Sequence, residues 1–290
     1  MPTLTDEQKV RFWREGYLVL EDALRPDQLS GLKRDFAAWI EESRTQTNAY
    51  GETIDGRPRF DVQPGHSADS PGLRRVSSPT EISETYLSVM RDNRALDAVA
   101  ELIGPNIKHN NTKVNSKLPG TKTEVKYHQD FMFEPHTNHD VIAVLFFVDE
   151  VTMENGPLEV VPGSHDGPLH TLWHEGEFTG AVAPEIESEV RESAVSCTGP
   201  AGSACLMHTR LLHGSTPNNS TQPRTLYIVT YNAEDAMPLC TNHIPSRYEG
   251  ELVRGEATGM IRCMPYEMEM PEYPKEASFF GQQARDSEAA

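Results

Sequence analysis

Cysteine is scarce in this chain and follows no pattern. Four occur in 290 residues, Cys197, Cys205, Cys240 and Cys263, with no CxxC pair and no zinc-type spacing. A disulfide framework or a structural zinc site is therefore not expected, and the thiols read as free groups in a reducing compartment. No run approaches 18 apolar residues, so no membrane-spanning helix is expected. The first residues, MPTLTDEQKVRFW, show no basic segment followed by an apolar stretch. No secretory signal is expected from them, and the cytoplasm is the expected location. Basic residues are also few, 26 Lys and Arg against 44 Asp and Glu, for a formal net charge of −18. Nucleic acid and anionic membranes both need basic surface, so neither is expected as a partner. Internal repeats are missing too, which sets solenoids and propellers aside.

What is present is a globular composition, 37% hydrophobic, arranged in two textures. The first third is helical in pattern. Thr5-Asp6-Glu7-Gln8 matches a capping box ahead of Val10 and Trp13, with Gly16 as a stop. Tyr17–Leu20 reads as a strand. Pro26 opens a helix on which Leu29, Leu32, Phe36 and Ile40 share a face. Residues 47–78, dense in Gly, Pro, Asp and Ser, read as one long loop of the kind that serves as a lid. A third helical region spans about 80–103, with Ile82, Tyr86, Val89 and Met90 on one face, and ends at Gly104-Pro105. Beyond residue 105, short β-prone runs alternate with turn signals, and Val141 to Val148 is nearly all apolar, as in a strand buried on both faces. The expected fold is mainly β with flanking α-helices. Its core is a double-stranded β-helix, a jelly-roll (cupin-like) barrel. A single domain is expected, with a helical part and lid loop over 1–105, the barrel over 106–235, and a C-terminal extension with an acidic, disordered tail over 236–290.

The chemistry concentrates in KYHQDFMFEP. On a strand, side chains two apart share a face, so His128 and Asp130 would stand together while Gln129 faces the other way. A histidine and a carboxylate are two thirds of a 2-His-1-carboxylate triad, which leaves open positions on iron(II). By itself HxD occurs often without a metal. His208 and His213 are the candidates for a third ligand, in MHTRLLHGSTPNNSTQPRTLYIVTYN. TPNNSTQP is a dense turn signal, so LLHGS and RTLYIVTY are expected as the arms of a hairpin, with Ser215 and Arg224 beside each other. A hydroxyl and a guanidinium next to a metal ligand suit a dicarboxylate that chelates the metal at one end.

The ordered set His128-Gln129-Asp130, His213-Gly214-Ser215 and Arg224 resembles the phytanoyl-CoA dioxygenase family. Asn155-Gly156-Pro157-Leu158, Val161-Pro162-Gly163-Ser164-His165 and Lys117-Leu118-Pro119-Gly120 are similar to further family segments. The resemblance implies an Fe(II)- and 2-oxoglutarate-dependent dioxygenase that uses dioxygen (O2) and releases succinate and carbon dioxide. By that resemblance His128, Asp130 and His213 are metal ligands, and Arg224, Ser215, Asn115 and Asn111 contact 2-oxoglutarate. Phe131, Phe133, Arg74, Arg75 and Gln129 are candidates for the substrate pocket, the two arginines for a substrate carboxylate. The residues after Asp130 lack the tryptophan-bearing pattern of ectoine hydroxylases. The expected partner is a small-molecule substrate, in a monomer or homodimer. An acyl-CoA hydroxylase and a non-redox divalent-metal hydrolase or isomerase are the competing readings, along with a non-catalytic binding barrel. His208 is expected to be a packed histidine, His165 to make a structural hydrogen bond, and His136 and His139 to be surface residues.

Overall fold

The computed structural model describes residues 2–119, 123–274 and 279. In chain order its elements are α1 (Asp6–Glu15), β1 (Tyr17–Leu20), α2 (Pro26–Ser43), β2 (Tyr50–Glu52), β3 (Pro58–Val62), β4 (Leu73–Ser77), α3 (Glu84–Arg91) and α4 (Arg94–Ile103). There follow β5 (Ile107–Lys117), β6 (Val125–His128), β7 (Val141–Phe147), β8 (Leu158–Val160), β9 (Trp173–His174), β10 (Glu177–Phe178) and α5 (Pro184–Arg191). The last are β11 (Val195–Cys197), β12 (Ala204–His208), β13 (His213–Ser215), β14 (Arg224–Ala233) and β15 (Leu252–Arg254). No helix among the described residues is long and apolar enough to cross a membrane.

The fold is mainly β, with antiparallel sheets. The larger sheet runs β1-β12-β7-β14-β5-β4-β3-β2, with β15 added on β5, and the smaller runs β11-β8-β13-β6. Period-two alternation explains how one strand serves two cores. On β7, Ile142, Val144 and Phe146 belong to the cluster that packs α1–α4, while Ala143, Leu145 and Phe147 belong to a cluster shared with Leu158, Val160 and Cys197 of the smaller sheet. β14 divides the same way, Tyr227, Val229 and Tyr231 towards the helices, Leu226 and Ile228 towards the smaller sheet. By that parity Arg224 points between the sheets. The apolar run at 141–147 is buried at every position, as a strand with two covered faces must be.

The helix ends follow their sequence signals. Thr5 and Gln8 form the capping box, and Gly16 closes α1 at φ +80°, where an added Cβ would lie 2.5 Å from His165. Three expectations are corrected. Residues 47–78 are not one loop, because β2, β3 and β4 extend the larger sheet across them. Region 80–103 breaks between α3 and α4 at Asp92-Asn93, where the Asn93 side chain caps α4 through Leu96 N (2.7 Å), and Ile82 is exposed rather than packed. HGS and RTLYIVTY do not pair as a hairpin. β13 joins β6 and β8 in the smaller sheet, and β14 joins β5 and β7 in the larger, so the segment between them crosses from sheet to sheet. The tail end, 275–290 apart from Phe279, lies outside the described residues.

Buried titratable groups set the pH response of the apo chain. Burial pushes the imidazoles of His109 and His136 down to about 4 and that of His208 well below its ordinary value. These rings take up protons in the unfolded chain before they do so in the fold, so their contribution is lost as pH falls from about 6.5 towards 4. Glu134 has the opposite sign. Burial, then the charge of Asp130, pushes it up to about 8, so its contribution is lost as pH rises through 8. The lowered imidazoles, His213 and His243 among them, outnumber the raised carboxyls, at a slope of roughly 1.4 kcal/mol per pH unit for each group that titrates. The apo protein is expected to have a lower urea midpoint at pH 5 than at pH 7. Equal midpoints would contradict this assignment.

Candidate metal centre

His128 ends β6, and His213 begins β13 directly opposite it in register. Their rings lie 4.2 Å apart. Asp130 is not on the strand, as the period-two reading supposed. It opens a 3-10 turn, Asp130–Met132, held by Phe131 N donating to Thr209 O (2.9 Å) and Phe133 N donating to Asp130 O (2.9 Å). The turn still delivers the carboxylate to the histidines, with Asp130 Oδ1 3.4 Å from His128 Nε2 and 3.8 Å from His213 Nε2. One ligand atom from each of the three residues lies within 4.8 Å of the others, and all three residues are buried.

The donor set fits a divalent metal. His128 Nδ1 is 2.8 Å from Lys126 O, and His213 Nδ1 is 2.9 Å from Leu211 O. Each Nδ1–H donates to its carbonyl, which leaves an Nε2 lone pair facing the shared space. Burial pushes His213 down to about 4, so it stays neutral. Burial alone would raise the Asp130 carboxyl, yet Lys113, His213 and His128 hold it well below the ordinary carboxylate range. With a neutral His213, the Lys113 charge carries most of that effect.

Two of the quoted segments place these groups. In PGSH, Ser164 Oγ accepts from Leu212 N (2.9 Å) and Val161 N donates to Leu212 O (2.9 Å), fixing the approach to His213. Gly214 has no room for a side chain, since a Cβ would meet Val125 O at 2.9 Å. In NGPL, Gly156 sits at φ +81°, where a Cβ would lie 2.6 Å from Thr216 O, and its carbonyl accepts from Arg224 Nε (2.8 Å).

The triad opens into a cavity of about 90 Å³ also lined by Arg224, Ser215 and Asn115. Arg224 is 3% exposed, and burial pulls its guanidinium down to about 10. It stands opposite Lys117 on β5, whose Nζ donates to Ser215 Oγ (2.7 Å) and so ties the two sheets together. Asn115 Oδ1 is buried without a partner among the described residues. Leu145, Leu158, Leu226 and Ile228 supply apolar walls. Of the pocket candidates, Phe133, Arg74 and Arg75 line the cavity.

Four expectations do not hold. Asn111 does not line the cavity and donates to Glu134 Oε2 (2.5 Å). Gln129 is buried behind the site, donating to Arg210 O (2.7 Å) and accepting from His170 N (2.9 Å). Phe131 packs its ring against His139 and Tyr266, at 5.2 and 5.3 Å. His136 is buried, not superficial, because the C-terminal segment covers it, with Tyr266 Oη donating to His136 O (2.5 Å). His165 makes its structural hydrogen bond, to Trp13 O (3.1 Å), and His208 is packed beside it. Lys113, Lys117 and His243 also line the cavity, and the sequence reading gave them no role. The signal for the lysines was the alternation of Lys113, Asn115 and Lys117 on one strand face.

Residues 12–226 match the family described as phytanoyl-CoA dioxygenase (PhyH). The chain belongs to this family. Membership carries the enzyme class, a non-haem dioxygenase dependent on iron and 2-oxoglutarate. It is 31% identical, over 98% of this chain and 97% of the relative, to a probable alpha-ketoglutarate-dependent hypophosphite dioxygenase of Stutzerimonas stutzeri. It is 27% identical to an L-proline trans-4-hydroxylase of Streptomyces griseoviridis, over 78% of this chain and 85% of the relative. The fold is similar to EctD from S. alaskensis in its apoform, with a TM-score of 0.67, 23% identity and 88% of each chain covered.

Proposed function

We propose that the protein hydroxylates an unactivated C–H bond of a small metabolite, in secondary metabolism, with succinate and carbon dioxide as co-products. The supporting observation is that His128, Asp130 and His213 open into the same cavity as the buried Arg224. The facing sheets are read as the two halves of a double-stranded β-helix, with the triad at its mouth. In this reading His128, Asp130 and His213 hold Fe(II). Arg224 and Ser215 grip the far carboxylate of 2-oxoglutarate, Lys117 positions Ser215 (2.7 Å), and Asn115 lines the cavity beside the co-substrate. Bound iron supplies the activation of O2 that 2-oxoglutarate oxidation drives. The chain's own part is to present two neutral imidazoles and a carboxylate, orient the dicarboxylate, and keep water out with Leu145, Leu158, Leu226 and Phe133.

Oxidation of a P–H bond is the second reading, favoured by likeness to the hypophosphite dioxygenase along nearly the whole chain. Anaerobic addition of Fe(II) and 2-oxoglutarate is expected to produce a weak visible charge-transfer band. A purified protein that gives no band would remove the oxygenase reading, and with it the non-redox alternatives would return.

A further inference from the structure

The cavity is lined by five basic side chains, Arg74, Arg75, Lys113, Lys117 and Arg224, and by one carboxylate, Asp130. In a chain of net charge −18 this local excess calls for a cause. Arg224 and Lys117 stand at the co-substrate end, opposite each other on β14 and β5. Arg74 is paired with Asp61 at 3.0 Å. Arg75 and Lys113 differ from these. Arg75 is 7% exposed and its guanidinium meets only Ser77 Oγ, at 3.4 Å, with no ion pair among the described residues. Its cross-strand neighbour Asp61 pairs directly with Arg74, although the Asp61 charge also acts on Arg75. Lys113 makes no hydrogen bond and no ion pair within 4 Å among the described residues, though its charge reaches Asp130.

The strand register puts the two cations together. Arg75 on β4 faces Asn115 on β5, and Lys113 faces Ser77, so the pair are diagonal neighbours on one sheet face. Diagonal positions are about 7–8 Å apart, within reach of one small ligand for side chains this long.

Charge balance then separates two anion sites. Iron(II), Asp130 and dianionic 2-oxoglutarate together carry one net negative charge, which Arg224 balances, while burial and the Arg224 charge pull the Lys117 ammonium well below its ordinary pKa. Arg75 and Lys113 both feel the Asp130 charge, but neither has an ion pair of its own among the described residues, and buried cations without a direct partner are costly. We infer that Arg75 and Lys113 form a second anion clamp, separate from the co-substrate grip, which holds a small oxyanion substrate beside the metal ligands. Phe133, His243 and Phe279 close that side of the cavity, which limits the anion to a compact one. Phosphorus oxyanions and carboxylates share the required chemistry. The inference rests on the oxygenase reading above and deepens it.

The test is calorimetry on the full-length protein, loaded anaerobically with Fe(II) and 2-oxoglutarate, with the visible band recorded in the same samples. Hypophosphite, methylphosphonate, acetate and neutral acetamide are titrated in turn. At least one anion is expected to bind, with acetamide weaker by about 100-fold, and Arg75→Gln and Lys113→Gln are each expected to weaken the anion by about tenfold or more. The same variants are expected to hold 2-oxoglutarate within about threefold of wild type, and Arg75→Lys to recover part of the loss while confirming a folded protein. Tighter binding of hypophosphite or methylphosphonate identifies a phosphorus oxyanion, and of acetate a carboxylate. Failure of every anion to bind overturns the clamp, as does acetamide binding equally well. So does loss of 2-oxoglutarate affinity, instead of anion affinity, in the glutamine variants. A wild-type protein without the band contradicts the oxygenase reading itself, whereas a band without anion binding contradicts the clamp alone.

Discussion

Asp130→Ala is expected to abolish turnover and to weaken Fe(II) binding by more than about 100-fold, the upper range for losing even an outer partner of a metal ligand. Asp130 is the one anionic ligand in the set, its oxygen within 4 Å of both histidine Nε2 atoms. Without it two neutral imidazoles face the metal beside the uncompensated charge of Lys113, which repels a cation. The turn itself does not need the carboxylate. The turn at 130–132 is held by main-chain bonds from Phe131 N and Phe133 N, which alanine keeps. Circular dichroism of the apo variant should therefore stay near wild type while the metal titration fails, with the urea midpoint lowered by loss of the buried charge. A variant that still gave the charge-transfer band at wild-type iron concentrations would show that Asp130 is not a ligand.

Arg224→Ala should have the second largest effect, and a different signature. Removing one partner of a buried charge pair costs about 3–5 kcal/mol, which is roughly a 150-fold to several-thousand-fold rise in the 2-oxoglutarate dissociation constant. Iron binding should be nearly unchanged, because Arg224 stands on the larger sheet while His128 and His213 stand on the smaller. Equilibrium binding of 2-oxoglutarate and of Fe(II), measured separately, checks the split. If iron binding falls in parallel, Arg224 supports the metal centre and not the co-substrate. Added guanidine should restore part of the affinity, since Gly156 O remains as an acceptor for it.

Much of this was legible in the sequence where a local pattern has a local cause. The capping box at Thr5 and the apolar run at 141–147 each follow from one element's own residues. His128, Asp130 and His213 were legible as a set because of their order with Arg224. What escaped depends on contacts between distant segments. A hairpin was the natural reading of TPNNSTQP, and only closure of two sheets sends its arms apart. Asn111 and Asn115 share a strand face and looked equivalent, but Asn111 donates to Glu134 Oε2, joined there by Asn110, the extra residue of a bulge opposite Thr230/Tyr231, and only Asn115 lines the cavity. His136 looked superficial because nothing nearby announces that Tyr266 will fold over it. Asp130 was placed correctly for an incomplete reason, since a tight turn does the work assigned to a strand.

The partition between sheets has a consequence for how such an enzyme diversifies. The three metal-facing side chains belong to β6, its following turn and β13, whereas Arg75 and Lys113 ride on β4 and β5, near the far end of the other sheet. Trading the β3–β4 hairpin would therefore replace Arg74 and Arg75, while Lys113 stays on β5 with Asn115 and Lys117 and the metal-site residues on the smaller sheet keep their places. Recombining those two strands between relatives is a shorter route to a new selectivity than altering residues around the metal.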